Sequence, residues 1–379
     1  MKKILIIAFV LITINSLAAQ PVIQAPNSIN QMTDSWKWAV RQSGEKNFDD
    51  GFWIGYSIER LMGLHSHIGR YCRSHENRPS LAEIIYGEEQ ARECLPTSAE
   101  EQIQKATHNV LDDWDDDENE KQVLKEVAFL FRFDSQQDAE NAEIRDMTIT
   151  NMSLYTNLED LPLLWLGIQE SDQSIDFLTS KYSKAKSEDV KEELIVAVAL
   201  HGESKRITDF LKDIVQSDED DELREDAVFW LSQQQSKQAL DILKKTIEKD
   251  HSVDVREKAV FGLSQMDLKG AMDVLIDLAK NARHSDIREK AIFWLSQKAG
   301  KKALETLSGL IDENDESYTI KEKAIFALSQ LDDNEGVPHL IRIANTHPDR
   351  RLRKKAIFWL GQTEDERAVQ ALIDILQNQ

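Results

Sequence analysis

Only two cysteines, Cys72 and Cys94, occur in the 379 residues, and 46 lysines and arginines face 68 aspartates and glutamates. Two cysteines allow one bridge at most. In an oxidising compartment such an isolated pair is expected to close and to contribute about 3 kcal/mol by restricting the unfolded chain, with free thiols or metal ligation as the alternatives. The shortage of basic charge leaves a formal net charge of −22, which repels phosphate backbones and speaks against nucleic acid as a partner. The one basic cluster, Arg350, Arg351, Arg353, Lys354 and Lys355, reads as a solvated helix start or as a contact for acidic stretches elsewhere. Catalytic signatures are missing as well: there is no GxSxG, no GxxxxGK[ST], no HExxH, and His75-Glu76 is a solitary His-Glu pair.

The chain starts with Lys2 and Lys3, the apolar run Ile4 to Ile14, and then Asn15, Ser16, Leu17, Ala18 and Ala19. That order is the pattern of a cleaved secretory leader over residues 1–19, and the apolar run is well short of the ~20 residues needed to cross hydrocarbon. Neither cysteine lies near enough to serve as a lipid anchor. Removal of Lys2 and Lys3 brings the charge to −24. The mature chain is expected to be periplasmic or secreted, with no membrane span.

Self-similarity organises the second half. One segment recurs as EDAVFWLSQ at Glu225, EKAVFGLSQ at Glu257, EKAIFWLSQ at Glu289, EKAIFALSQ at Glu322 and KKAIFWLGQ at Lys354, at intervals of 32, 32, 33 and 32. Weaker copies extend it upstream to EELIVAVAL at Glu192 and DLPLLWLGI at Asp160, which gives seven units over residues 156–379. In one unit, Ile287, Ala291, Ile292, Trp294 and Leu295 share a helix side. Residues Lys298 to Lys301 supply a turn, and Ala303, Leu304, Leu307, Leu310 and Ile311 line a second helix. Asp254 with Glu257, Asp286 with Glu289 and Thr319 with Glu322 have capping-box spacing.

The run Val255-Arg256-x-x-Ala259-Val260-x-x-Leu263 with its following amphipathic helix resembles HEAT repeats, more narrowly the short bacterial kind grouped with phycocyanobilin-lyase HEAT-like repeats. The resemblance implies a right-handed α-solenoid and is nearly silent on chemistry, because such repeats serve lyases, hydroxylases and plain scaffolds alike. Pigment attachment would take place in the cytoplasm, which fits poorly with an exported chain.

Three positions repeat in phase. Trp165, Ala197, Trp230, Gly262, Trp294, Ala327 and Trp359 alternate large and small side chains, which predicts bump-and-hole packing between adjacent units, with an aromatic ligand box as the alternative. The preceding position is Phe229, Phe261, Phe293, Phe326 and Phe358 in the five clear copies. It points roughly 180° from the centre of the buried arc at 100° per residue. A continuous outer apolar stripe is a candidate protein-binding surface, unless the N-terminal region, self-association or a helix tilt covers it. Gln233, Gln265, Gln297, Gln330 and Gln362 follow four residues later and are expected to bond turn carbonyls between neighbouring units.

Residues 20–155 lack the repeat. GFWIGYSI at Gly51 reads as a strand, and VAFLFRF at Val127 with IRDMTITNMSL at Ile144 read as a β-hairpin, so that a small α+β region is expected to cap the array. The acidic stretch Asp112 to Glu120 lacks the spacing of a calcium loop and reads as solvated. His65, His67, Cys72 and His75 match no standard metal signature and read as turn residues. The resulting expectation is a mainly α, non-enzymatic envelope scaffold that needs no cofactor and binds a protein partner. The alternatives are an enzyme or metal site where cap meets array, near His65 and His67, and a self-assembling homo-oligomer.

Overall fold

The computed structural model describes residues 21–46, 48, 50–63, 66–69, 78–94, 122–141, 143–217, 219–298 and 300–377. The leader, Cys72, His65, His75 and the acidic stretch Asp112 to Glu120 lie outside them, and with Cys72 so does the expected bridge to Cys94. Contacts divide the chain into two compact units, residues 1–201 and 202–379.

The first unit is built on a five-stranded sheet of order β1-β5-β2-β3-β4, with β1 at Val22–Gln24, β2 at Phe52–Gly63, β3 at Gln122–Phe133, β4 at Asp146–Asn151 and β5 at Leu163–Ile168. β2 pairs antiparallel with β3 from Phe52↔Phe133 to Gly63↔Gln122, β3 pairs antiparallel with β4, and β5 runs parallel to both β1 and β2. The expected strand at Gly51 and the pairing of the Val127 and Ile144 runs are thus present.

Alternation along β2 and β3 sends side chains to two covered faces. On one face Phe52, Tyr56, Phe129, Phe131 and Phe133 meet Trp36 of α1 (Met32–Lys46) and Phe177 of α5 (Ser171–Tyr182). On the other, Trp53, Leu130 and Trp165 pack with Leu81, Ala82 and Ile85 of α2 (Leu81–Tyr86) and Ala91 of α3 (Glu88–Cys94). Burial of both faces explains why these strands read as nearly continuous apolar runs. α4 (Gln136–Asn141) joins β3 to β4, and α6 (Glu188–Ala199) follows α5.

One expectation is overturned here. The segment at Asp160, read as the first helix of a first repeat, is strand β5, and its Trp165 is a 1% exposed member of the sheet core whose indole N–H donates to the Tyr86 hydroxyl at 3.1 Å. A run of four to eight apolar residues fits a buried strand as readily as a helix, and the neighbouring strands β1 and β2 decide it. Gly55 shows the tightness of that packing: a Cβ there would stand 2.4 Å from Leu130 Cδ2 and 3.2 Å from the Trp165 ring. The weaker copy at Glu192 is helical, as α6.

The second unit holds α7 (Lys205–Val215) and then five helical hairpins: α8 (Asp221–Ser232) with α9 (Lys237–Lys249), α10 (Val253–Gln265) with α11 (Ala271–Asn281), and α12 (Ser285–Ser296) with α13 (Lys301–Asp312). The last two are α14 (Tyr318–Ser329) with α15 (Val337–Thr346) and α16 (Arg350–Leu360) with α17 (Glu366–Gln377). Each first helix packs on the first helix of the next hairpin, and each second helix on the first helix that follows it, so the helices form two layers. The inward arc is the expected one: Val255, Ala259, Val260 and Leu263 are at most 1% exposed.

Helix starts differ from expectation. Ser252 caps α10 and Ser317 caps α14, each hydroxyl accepting from the amide three residues on, while His284 precedes α12 without a side-chain cap. Asp254 and Asp286 lie inside the first turn, where their charge meets the positive end of the helix dipole. At α10 and α14 the serine two positions upstream reached the free amides first.

Candidate interaction surface

The five phenylalanines stand on the side of α8, α10, α12, α14 and α16 away from the buried arc. Phe293 is 41% and Phe358 55% exposed, while Phe229, Phe261 and Phe326 are half-buried. What half-buries them is the alternating tryptophan. Trp294 sets its ring 4.9 Å from Phe261 of the preceding hairpin and 5.0 Å from its own neighbour Phe293; Trp359 repeats this with Phe326 and Phe358, both at 5.0 Å. Trp230 lies 5.4 Å from Phe229. Edge-on and tilted aromatic pairs of this kind contribute about 0.5–1.5 kcal/mol each beyond area burial.

The alternation therefore works differently from a bump over a hole. Each of these two indoles lies on the phenylalanine one residue before the small position of the preceding unit. Gly262 instead admits helix α8: a Cβ added there would meet Ser232 Cβ at 3.1 Å. Ala327 is 1% exposed, as a side chain between stacked helices should be, and Ala197 is fully buried within the first unit.

Beside the aromatic row runs a row of charge. Lys290 reaches back to Glu257 at 2.7 Å, Lys323 to Glu289 at 2.9 Å, and Lys355 to Glu322, each a lysine of one hairpin paired with a glutamate of the hairpin before. Burial pushes the carboxyls of Glu225 and Asp226 on α8 above their ordinary range, with Lys258 pulling the other way. Between the rows lie two clefts. One of about 330 Å³ is lined by Glu257, Lys258, Phe261, Lys290, Phe293 and Trp294 among others; one of about 270 Å³ by Ile292, Phe293, Lys323, Phe326 and Ala327 among others. Phe293 belongs to both.

The glutamines bond locally. Gln233, Gln265, Gln297 and Gln330 donate through Nε2 to the hydroxyl of the preceding serine at 3.0–3.2 Å, and that serine donates to the carbonyl of the phenylalanine three residues back at 2.6–2.7 Å. They close the last turn of their own helix and do not cross between units. Gln362 follows Gly361 and has no serine to join.

A row the sequence reading passed over links the loops. Arg224, 2% exposed, donates to the Glu219 carbonyl, to Asp221 at 2.8 Å and to Asp250 at 3.1 Å. Arg256 donates to the Asp250 carbonyl and lies 3.7 Å from Asp286, and Arg288 holds the Ala279 carbonyl and both oxygens of Glu316. The signal was the arginine at the same phase in four of the five clear copies, Arg224, Arg256, Arg288 and Arg353, with Lys321 in the other. Arg353 donates to the His347 and Pro348 carbonyls, whereas Arg350, Arg351, Lys354 and Lys355 are exposed. His67 is exposed, and among the described residues no three histidine, cysteine or acidic side chains gather as metal ligands.

A family model described as HEAT repeats matches residues 208–296, 273–357 and 304–379, so the second unit carries HEAT repeats. No curated protein matches the chain. Among solved structures, human deoxyhypusine hydroxylase is 18% identical over 53% of this chain and 77% of its own, with a TM-score of 0.24. A phycocyanin lyase complex from Nostoc sp. PCC7120 is 18% identical over 55% and 83%, with a TM-score of 0.27. The Escherichia coli protein YibA is 14% identical over 89% and 100%, with a TM-score of 0.30.

Proposed function

We propose that this chain is a non-enzymatic, exported scaffold of the bacterial envelope whose repeats wind into a right-handed solenoid and hold a protein partner on the outer face of the first helices. HEAT repeats suit such a role because stacked hairpins present a rigid, extended surface. The observation that carries the reading is Phe293: a side chain 41% exposed at the shared wall of two clefts, in a row ending at Phe358, 55% exposed. Covering the exposed part of one such ring is worth on the order of 2 kcal/mol, and the flanking glutamate and lysine rows give the polar rim of an interface. Among the described residues no helix is long and apolar enough to cross a membrane.

The test is affinity capture from the envelope fraction with the wild-type chain and with Phe261→Ser/Phe293→Ser. Loss of a captured protein from the doubly substituted chain, with its circular dichroism unchanged, supports the reading. Equal recovery of every protein by both forms removes it.

A further inference from the structure

The outer face carries a charge pattern that its intrachain pairs do not explain. On α8 the four positions flanking Arg224 are Asp221, Glu222, Glu225 and Asp226; on α16 the same four positions, 129 residues on, are Arg350, Arg351, Lys354 and Lys355. The intervening helices are nearly balanced at these positions: Val253, Asp254, Glu257 and Lys258 on α10; Ser285, Asp286, Glu289 and Lys290 on α12; Tyr318, Thr319, Glu322 and Lys323 on α14. Along the stack the face therefore runs from −4 through −1, −1 and 0 to +4. Among the described residues, no ion pair involves Glu222, Arg350 or Lys354.

A surface whose charge reverses sign about its midpoint is complementary to itself when turned end for end. The midpoint is α12, and its Phe293 is the middle member of the five-phenylalanine row. A twofold axis through Phe293 would exchange α8 with α16 and α10 with α14. It would set −4 against +4 at both ends and leave the apolar row facing its own image. Parallel pairing would set like charge against like. The two clefts lie on either side of Phe293, toward Phe261 and toward Phe326, and the axis would bring each opposite the other. Five helices spaced about 9 Å apart span about 40 Å. With a width of about 20 Å, the face reaches the roughly 800 Å² per partner of a stable interface.

The geometry points to a second copy of this chain as the occupant: an antiparallel, isologous dimer formed by the first-helix faces. This rests on the reading of that face as an interaction surface and names its partner. Sedimentation velocity on the mature full chain tests it with two charge-reversed forms, Glu222→Lys/Glu225→Lys and Arg350→Glu/Lys354→Glu. Each pair of reversals brings its four positions from −4 or +4 to 0, which removes the attraction at both ends of the dimer and should weaken self-association on the order of 100-fold. An equimolar mixture of the two forms sets an intact −4 against an intact +4 at one end and neutral against neutral at the other, and should sediment as a dimer, which neither form does alone and which a misfolded form could not do.

A wild-type chain that stays monomeric at about 100 μM, a dimer indifferent to the reversals, or a mixture that stays monomeric overturns the inference. Should the chain be monomeric while Phe261→Ser/Phe293→Ser still loses a captured envelope protein, the self-pairing falls and the scaffold reading stands. Should both assays be indifferent, both fall.

Discussion

Lys181 offers a quantitative test of the packing in the first unit. It lies on α5, is 7% exposed, and holds its Nζ 3.9 Å from the Trp36 ring centroid and 4.8 Å from that of Phe177. Burial, aided by the nearby Lys184 charge, brings its pKa from 10.5 down to about 7, although the two rings favour the charged form. The unfolded chain returns the group to its ordinary value, so between pH 7 and 10.5 the unfolded state binds more protons than the folded one. Stability from this residue therefore rises with pH across that window. The gain amounts to about 2 kcal/mol between pH 7 and pH 9. His201, stacked on Phe129 and lowered by burial to about 4, completes nearly all of its own stabilising change below this window.

Lys181→Met keeps the length and apolar contacts of the side chain and removes its titration. Urea unfolding followed by circular dichroism at pH 7, 8 and 9 should show the wild type gaining about 2 kcal/mol relative to Lys181→Met over that range. It should also show the variant more stable at pH 7, where the wild type still carries the cost of a partly charged, buried amine. Parallel pH responses of the two forms would refute the placement of this amine between the rings.

Two further outcomes follow from the second unit. Arg288→Met leaves the Glu316 carboxylate, 8% exposed, without its guanidinium, and should cost about 3–5 kcal/mol in chemical denaturation. Replacing Glu316 by Leu in the same chain should recover part of that, because an apolar pair is tolerated where a lone buried charge is not. Gly336, just ahead of α15, has no room for a Cβ, which would stand 1.9 Å from the Leu328 carbonyl oxygen. Gly336→Ala should lower the thermal midpoint through a loss of about 2–3 kcal/mol, visible by differential scanning calorimetry.

Much of the second unit was written in the order of its residues. A period of 32 or 33, an apolar arc at helical spacing and a polar turn in each copy are local facts. They determine paired helices whose buried side is Val255, Ala259, Val260 and Leu263 and whose outer side carries phenylalanine. The strands at Phe52 and Val127 were legible for the same reason, since alternation and β-branched or aromatic content act over a few residues.

What only the tertiary structure decided depends on groups distant in sequence. The segment at Asp160 became strand β5 because β1 and β2 offered it open edges. Trp294 turned to Phe261 instead of to Gly262, where Ser232 already stood close. Lys290 and Lys323, each following a glutamate in the repeat, found the glutamate of the preceding hairpin, and the arginines found loop carbonyls and acids one unit away. Periodicity says which way a side chain points. Which atoms await it there is set by neighbours that the chain brings together only once folded.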